Sequence, residues 1–285
     1  MSLQDTKHAM KHQLSHLYDA LEMNSMVNIL IEEVTGWDAL HQNLHKNDAL
    51  DTLQTDQLNH YVDQLLTGKP LQYIIGKAWF MGKVYYVNEA VLIPRPETEE
   101  LVEWVTEYAL IINKTLHILD IGTGSGCIPI SLKLERPSLQ VEAWDISKGA
   151  LEMARQNAET LQAAVSFQQQ DIFAWPSSNG HWDIIVSNPP YVTEEEKKEM
   201  ANHVLDFEPH LALFVPNDDA LKYYEALADF AIERLSYGGY LCLEINQYFG
   251  TQTMELLFSK GFQEVQLKKD FKGNDRMIVA QKSGL

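Results

Sequence analysis

The chain has 285 residues, and 22 basic against 40 acidic side chains give it a formal net charge of −18 at pH 7. Hydrophobic residues make up 45% of the chain, which argues against a disordered protein. The sequence has no run of roughly 18 apolar residues and no secretory signal, so we expect no membrane partner. The strong negative charge disfavours direct binding to nucleic acid, which needs a basic face.

The cysteine content argues against a disulfide framework. Cys127 and Cys242 are the two cysteines of the chain, and neither belongs to a CxxC pair. This pattern also lacks the thiolates of a zinc site, so we expect no metal and a reducing, cytoplasmic location.

Residues 1–70 carry apolar side chains at three- and four-residue steps, which predicts a small N-terminal domain of amphipathic helices. The repeat consists of Leu14, Leu17, Leu21, Leu58, Val62 and Leu65. Residues 71–93 alternate between apolar and polar side chains and are rich in Val, Tyr and Phe, which predicts a β-hairpin linker.

From residue 94 to residue 285, short apolar runs alternate with helical stretches, so we predict an α/β domain with a mostly parallel sheet.

A glycine-rich loop follows the first predicted strand of that domain. Asp120 precedes a GxGxG sequence over residues 122–126, and a helical stretch follows. In such a turn, glycines let a ligand approach the backbone, and the helix start presents free N–H groups. The spacing is neither GxGxxG nor that of a P-loop. Asp120 would repel a pyrophosphate and suits an amino group or a cation.

Two further acids are predicted at the ends of the next strands. Asp145 lies about 20 residues after the last glycine of the loop, where an acid binds the ribose hydroxyls of an adenosine group. Asp171 ends the third apolar run and is placed to accept a hydrogen bond from an adenine amino group. The alternative for each acid is a helix N-cap, and for Asp171 alone the two interpretations are close.

The fourth strand ends in Asn188-Pro189-Pro190-Tyr191. Two prolines fix φ and remove two N–H donors, and Pro189 restricts Asn188 to extended geometry. The Asn188 side-chain oxygen and the Pro189 carbonyl can then accept the two N–H bonds of a planar conjugated NH₂ group, while the Tyr191 ring holds its plane. The alternative is a tight Asn-Pro turn.

These motifs together resemble the class I S-adenosylmethionine-dependent methyltransferases that act on exocyclic or amide nitrogens. Other segments resemble the protein-(glutamine-N5) methyltransferases of the HemK/PrmC type. They are residues 70–76 with Trp79-Phe80, residues 92–99 with the sequence Ile-Pro-Arg-Pro-Glu-Thr at 93–98, residues 207–213 and residues 273–276. The resemblance implies a Rossmann-like, mostly parallel seven-stranded sheet, a helical N-terminal domain that grips the substrate, a connecting hairpin and a catalytic domain over 94–285.

The resemblance also implies a reaction and its residues. The substrate would be the glutamine of the Gly-Gly-Gln loop in class-1 peptide chain release factors, which act in translation termination, and S-adenosylmethionine would be the cofactor. The residues implied to bind the cofactor are Gly122, Thr123, Gly124, Ser125, Gly126, Asp145, Asp171, Ile172 and Asn188. Those implied to hold the substrate are Asn188, Pro189, Pro190 and Tyr191, with Asn188, Pro189 and Tyr191 in catalytic roles. The site wall would include Phe80, Arg95, Glu97 and Thr98.

One alternative function stays open at this point. Asn-Pro-Pro-Tyr also suits a flipped base, so the chain could instead be a nucleic-acid methyltransferase acting on adenine N6 or guanine N2. For His210 the sequence favours a structural role in the loop after the fourth strand. Glu244 is predicted to end a fifth strand, and the sequence does not decide whether it is a buried acid behind the site.

Overall fold

The computed structural model describes residues 1–111, 115–175, 180–200 and 202–284. They form two compact units. One contains residues 1–76 and 202–207, and the other contains residues 77–200 and the chain from residue 208 onward.

The N-terminal stretch 1–76, which is described throughout, is helical. Its helices are α1 (Leu3–Leu14), α2 (Ala20–Thr35), α3 (Ala39–Leu44), α4 (Thr52–Leu66) and α5 (Leu71–Ile75). Asp19 caps α2 by accepting from the Leu21 and Glu22 N–H groups, as N-cap carboxylates do. Because α1 ends at Leu14 and α2 is capped at Asp19, the predicted apolar repeat is interrupted between them. Leu17 and Leu21 are therefore exposed, whereas the other four members of the repeat are buried.

The hairpin is shorter than the predicted segment 71–93. Residues 71–75 form α5, because Pro70 begins the helix and Gly76 ends it with a positive φ of 70°, an arrangement that glycine adopts at no steric cost. The antiparallel hairpin pairs β1 (Lys77–Phe80) with β2 (Lys83–Tyr86). Met81 and Gly82 both have positive φ at its turn, as the favoured two-residue turns require. The division into segments 1–70, 71–93 and 94–285 stays a prediction.

The rest of the chain alternates strands with helices. In order they are α6 (Pro96–Ile111), β3 (His117–Ile121), α7 (Cys127–Glu135), β4 (Gln140–Asp145), α8 (Lys148–Thr160), β5 (Ser166–Gln169), β6 (Trp182–Ser187), β7 (Val192–Thr193), α9 (Asn202–Phe207), β8 (Phe214–Val215), α10 (Lys222–Arg234), β9 (Leu235–Glu244), α11 (Gly250–Ser259), β10 (Phe262–Lys269) and β11 (Asp275–Lys282). Short 3₁₀ turns cover Ile172–Ala174, Glu196–Glu199, His210–Ala212 and Asn217–Asp219.

Within the described residues, seven strands form one sheet in the order β10-β11-β9-β6-β3-β4-β5. The strands from β9 to β5 are mutually parallel, and β11 and β10 are added antiparallel at one edge. This confirms the predicted fold class. Apolar side chains pack on both faces, with Leu101 and Ile130 in one cluster and Leu227 and Phe230 in the other.

The strand order creates a switch point between β3 and β6. The chain moves outward from β3 to β4 and β5, and then returns to place β6 on the other side of β3. In open α/β sheets, ligands bind beyond the carboxyl ends of the strands at such a point. Among the described residues, no helix combines the length and apolar character needed to cross a membrane.

Candidate active site

A cleft of about 380 Å³ lies at the carboxyl ends of the parallel strands. Most of the residues predicted for the site line it. They are Arg95, Thr98, Gly122, Thr123, Gly124, Ser125, Asp145, Asp171, Ile172, Asn188, Pro189 and Pro190. The predicted residues that do not line it are Phe80, Glu97, Gly126 and Tyr191.

The glycine loop uses several of its N–H groups within the protein. The Gly122 and Thr123 N–H groups both donate to the Trp144 carbonyl, at 2.9 and 3.0 Å, and the Gly124 N–H donates to Asp145 Oδ2 at 2.9 Å. These three N–H groups precede the helix start at Cys127, for which free N–H groups are predicted. The bonds to β4 hold the loop in place and remove donors that a phosphate would need.

Gly126 does not line the cleft, and its lack of a side chain lets the loop pack closely against α7 and α8. Its φ is +80°, and a Cβ there would lie 2.9 Å from Ile130 Cδ1 and 3.1 Å from Ala154 Cβ. A side chain at this position would push the loop away from α7 and α8.

Asp145 ends β4, as predicted, and its carboxylate points into a network of donors. It accepts hydrogen bonds from the Gly124 and Ser147 N–H groups, at 2.9 and 2.8 Å. An ionised carboxylate offers about four acceptor positions, so acceptor capacity is left for a ligand. Burial raises the pKa of Asp145, and the two donated bonds oppose that rise.

Asp120 is fully buried under the loop. Neither of its carboxyl oxygens has a hydrogen-bond partner among the described residues. Burial raises the pKa of Asp120 to about 7, an effect that the nearby Thr123 hydroxyl opposes and the negative charge of Asp145 increases.

Asp171 does not end a strand. β5 stops at Gln169, and the Asp171 side chain caps the following 3₁₀ turn by accepting from the Phe173 N–H at 2.9 Å. Asp171 therefore acts as an N-cap, the alternative that the sequence offered, through a bond to a residue two positions later. Asp171 nevertheless lines the cleft, beside the buried Ile172.

The Asn-Pro-Pro corner follows β6 directly. The Ser187 hydroxyl donates to the Ile121 carbonyl at 2.6 Å, which joins the ends of β6 and β3. Asn188 Nδ2 donates to Thr98 Oγ1 at 3.2 Å. The Tyr191 hydroxyl donates to Glu244 Oε1 at 3.0 Å, and Tyr191 is not among the residues that line the cleft.

Glu244 ends β9 and is almost completely buried. The Thr98 hydroxyl donates to its Oε2 at 2.6 Å. Burial raises the pKa of Glu244, whereas the bonds from Thr98 and Tyr191 and the positive charge of Arg276 act in the opposite direction.

Two residues of the predicted wall have other roles. Phe80 is buried in the core, edge-on to the Tyr85 ring at a centroid distance of 6.0 Å. Glu97 pairs with Lys272 Nζ at 2.5 Å. Both lie in segments that resemble the family, but neither residue lines the cleft.

Arg95 does line the cleft and is fixed by a buried partner. Its guanidinium donates to Glu208 Oε1 at 2.6 Å, and the Glu208 side chain is 1% exposed. The pair joins the Ile-Pro-Arg-Pro segment to the Glu-Pro-His segment. His210 lies in the 3₁₀ turn that follows, with its ring edge-on to Phe214 at 5.2 Å.

Asn157 on α8 was not predicted, although it supports the glycine loop. Its Nδ2 donates to the Tyr86 and Ser125 carbonyls, both at 2.9 Å, and its Oδ1 accepts from the Tyr86 N–H at 2.7 Å. These partners are far away in sequence, so no local pattern identifies them.

Comparison with known proteins agrees with this architecture. Residues 100–208 match the family described as Methyltransferase small domain, and residues 9–76 match the PrmC N-terminal domain. Two solved structures share the fold: a methyltransferase from Pyrococcus furiosus (TM-score 0.52, 15% identity, 82% of this chain and 100% of that chain), and the 16S rRNA N2 G1207 methyltransferase of T. thermophilus in complex with AdoMet and guanosine (TM-score 0.52, 19% identity, 72% and 49%). At these identities the likeness shows the fold alone.

Curated relatives resemble the chain over nearly its whole length. The release factor glutamine methyltransferase of Flavobacterium psychrophilum is 46% identical over 93% of this chain and 94% of its own. Those of Bacteroides thetaiotaomicron and Bacillus subtilis are 41% and 36% identical over 95% of this chain, and over 97% and 96% of their own. The chain therefore belongs to the release factor glutamine methyltransferase family.

Proposed function

We propose that the chain transfers a methyl group from S-adenosylmethionine to the side-chain amide nitrogen of the glutamine in the Gly-Gly-Gln loop of class-1 peptide chain release factors. One observation carries this proposal: the Asn188-Pro189-Pro190 corner lines the same cleft as the glycine loop and Asp145. A methyl donor and an amide acceptor bound there would lie next to each other.

The residues of the cleft fit the donor. Asp145 has acceptor capacity left for ribose hydroxyls, and the apolar side chains of Ile146, Ile172 and Leu227 line the region in which a flat adenine ring would pack. The carboxyl group of Asp171 lies at the same edge and would accept from the adenine amino group. S-adenosylmethionine supplies an electrophilic methyl group on a positively charged sulfur when it is bound, and the carboxyl groups of Asp145 and Asp171 suit that charge.

The corner fits a primary amide. The Pro189 carbonyl and Asn188 Oδ1 would each accept one N–H bond of the glutamine NH₂ group. An amide nitrogen is a poor nucleophile because its lone pair is delocalised. The protein can assist by orienting the nitrogen and by supplying acceptors whose hydrogen bonds strengthen as positive charge develops. No strong base is required, since the alkylated nitrogen is acidic enough to lose its proton to water. Tyr191 would stiffen the corner through its bond to Glu244 and would not touch the substrate.

The nucleic-acid alternative is not favoured. The curated relatives described above carry the name of a glutamine methyltransferase, and the net charge of −18 opposes binding to a polyanion. We propose that the N-terminal helical unit helps to bind the release factor. The two buried free cysteines and this partner support a cytoplasmic location.

The test is methylation of a purified class-1 release factor with labelled donor, followed by localisation of the label by mass spectrometry. A release factor with Ala in place of the Gly-Gly-Gln glutamine is the control, and ribosomal RNA is offered separately. We expect label on that glutamine alone. In the chain itself, Asn188→Ala should keep donor binding while raising the barrier by roughly 2.7–4 kcal/mol, the range for loss of one positioned polar group. Label on RNA, or normal turnover by Asn188→Ala, would contradict the proposal.

A further inference from the structure

A line of hydrogen bonds runs from the buried end of β9 to the cleft. Glu244 accepts from the Thr98 hydroxyl at 2.6 Å, and Thr98 Oγ1 accepts from Asn188 Nδ2 at 3.2 Å. Thr98 and Glu244 are 3% and 1% exposed, so the bond between them is shielded from water. The bond from the half-buried Asn188 is shielded in part. We name Glu244, Thr98 and Asn188 the amide relay.

The amide relay has a fixed direction. An ionised carboxylate only accepts hydrogen bonds, so the single hydroxyl proton of Thr98 must point at Glu244. The Thr98 oxygen can then only accept, which requires Asn188 to present its NH₂ group to Thr98. Asn188 Oδ1 is left as the amide atom that can accept from a ligand.

We propose that Glu244 and Thr98 are positioning residues that select the catalytically useful orientation of the Asn188 amide. A reversed amide would present N–H donors to the NH₂ group of the substrate, and two donors repel each other. Glu244 also holds the far end of the corner by accepting from the Tyr191 hydroxyl at 3.0 Å. One buried carboxylate therefore fixes both ends of Asn188-Pro189-Pro190-Tyr191. The proposal rests on the proposed function, because it assumes an acceptor with an NH₂ group.

The relay needs Glu244 in its ionised form. Burial is the largest influence on Glu244 and raises its pKa, and the negative charge of Glu97 adds to the rise. The two donated hydrogen bonds and the positive charge of Arg276 act against it and favour the ionised form. Arg276 is itself held in place, because its guanidinium donates to Asp270 Oδ2 at 3.1 Å and to the Ile245 carbonyl at 3.3 Å.

Thr98→Val tests the relay with little change in shape, because it replaces the hydroxyl with a methyl group. Misplacement of a catalytic group by about 1 Å costs on the order of 100-fold, so we expect kcat to fall by about 10- to 100-fold with donor Kd nearly unchanged. Thr98→Ser keeps the hydroxyl and should restore most of the rate. Glu244→Gln keeps the side-chain shape but can donate to Thr98 and so permits the reversed amide. It should lower kcat in the same way.

Thr253→Val is the matched control. Thr253 is fully buried, and its hydroxyl donates to the Phe249 carbonyl on α11 at 2.8 Å, so its loss tests the general cost of a buried hydroxyl. Equal kcat values for Thr98→Val and wild type would overturn the proposal, as would a loss of rate that Thr98→Ser does not reverse.

A second readout does not depend on turnover. The Asn188 side-chain NH₂ group should show slowed hydrogen exchange in the wild-type chain and in Thr98→Ser, but faster exchange in Thr98→Val, as measured by NMR. Equal exchange in all three would refute the relay. Methylation of the release factor by the wild-type chain separately tests the proposed function.

Discussion

Asp120→Asn tests how much the buried carboxyl group beneath the glycine loop changes the free energy of unfolding with pH. The carboxyl group of Asp120 is fully buried without a partner among the described residues, and its pKa is raised from 3.8 to about 7, mainly by burial. Between these pH values the folded chain holds a proton at Asp120 that the unfolded chain has lost. The free energy of unfolding therefore falls as pH rises through this window, by about 4 kcal/mol in total, since each pKa unit is worth about 1.4 kcal/mol.

The asparagine variant cannot titrate, so the stability of the wild type relative to the variant should fall by about 2.5 kcal/mol between pH 5 and pH 8. Urea denaturation of both proteins at several pH values measures this difference. Asp63→Asn is the control, because Asp63 is exposed on α4 and its solvation changes little on unfolding. A difference for Asp120→Asn that stays constant across this range would show that burial does not raise the pKa of Asp120.

Three further substitutions test the supports of the cleft. Asn157→Ala leaves the buried Ser125 carbonyl unpaired, at about 1–3 kcal/mol, together with two backbone groups of the half-buried Tyr86, and should lower the urea midpoint. Gly126→Ala places a Cβ against α7 and α8 and should cost about 1–3 kcal/mol more than Gly36→Ala, which has a similar φ of +71° but open space around it. Arg95→Met leaves the buried Glu208 carboxylate without its cation, with a hydrogen bond from the Ile93 N–H at 3.4 Å remaining. It should cost about 3 kcal/mol, of which Glu208→Gln in the same chain should recover a part, as measured by denaturant unfolding.

The sequence predicts those features that depend on a regular period or on a strand end. Alternation of apolar runs with helical stretches predicts the parallel sheet, and the carboxyl ends of parallel strands meet at one edge. That is why Asp145 and Asn188, which lie more than 40 residues apart, line one cleft. The prediction needs no knowledge of side-chain contacts.

Features that depend on competition between local and tertiary contacts are not predicted. Asp171 lies where a strand end was expected, but the bond to the Phe173 N–H ends the extended segment earlier. Ile74 and Ile75 have high β-propensity, and yet they lie in α5 between Pro70 and Gly76. In both places the one or two residues that begin or end a helical turn outweigh the weaker β-propensity of the residues next to them.

The side chains that orient the site are the hardest to predict, because their partners come from distant parts of the chain. Thr98 belongs to a segment that resembles the family and was expected in the wall of the site, but nothing local links it to Glu244. The bond between them spans 146 residues. Phe80 shows the opposite case, since it lies in a segment that resembles the family and packs in the core.

The direction of the hydrogen bonds explains which ligands the cleft favours. The N–H groups of Gly122, Thr123 and Gly124 are used within the protein, and the two prolines of the corner have no N–H group. The groups left for a ligand at these positions are mainly carboxylate, carbonyl and amide oxygens. A phosphate brings further acceptors and would find few donors at these positions. A ligand with hydroxyl groups, N–H groups and a positive charge would find acceptors at each position, which describes both the proposed methyl donor and the proposed amide substrate.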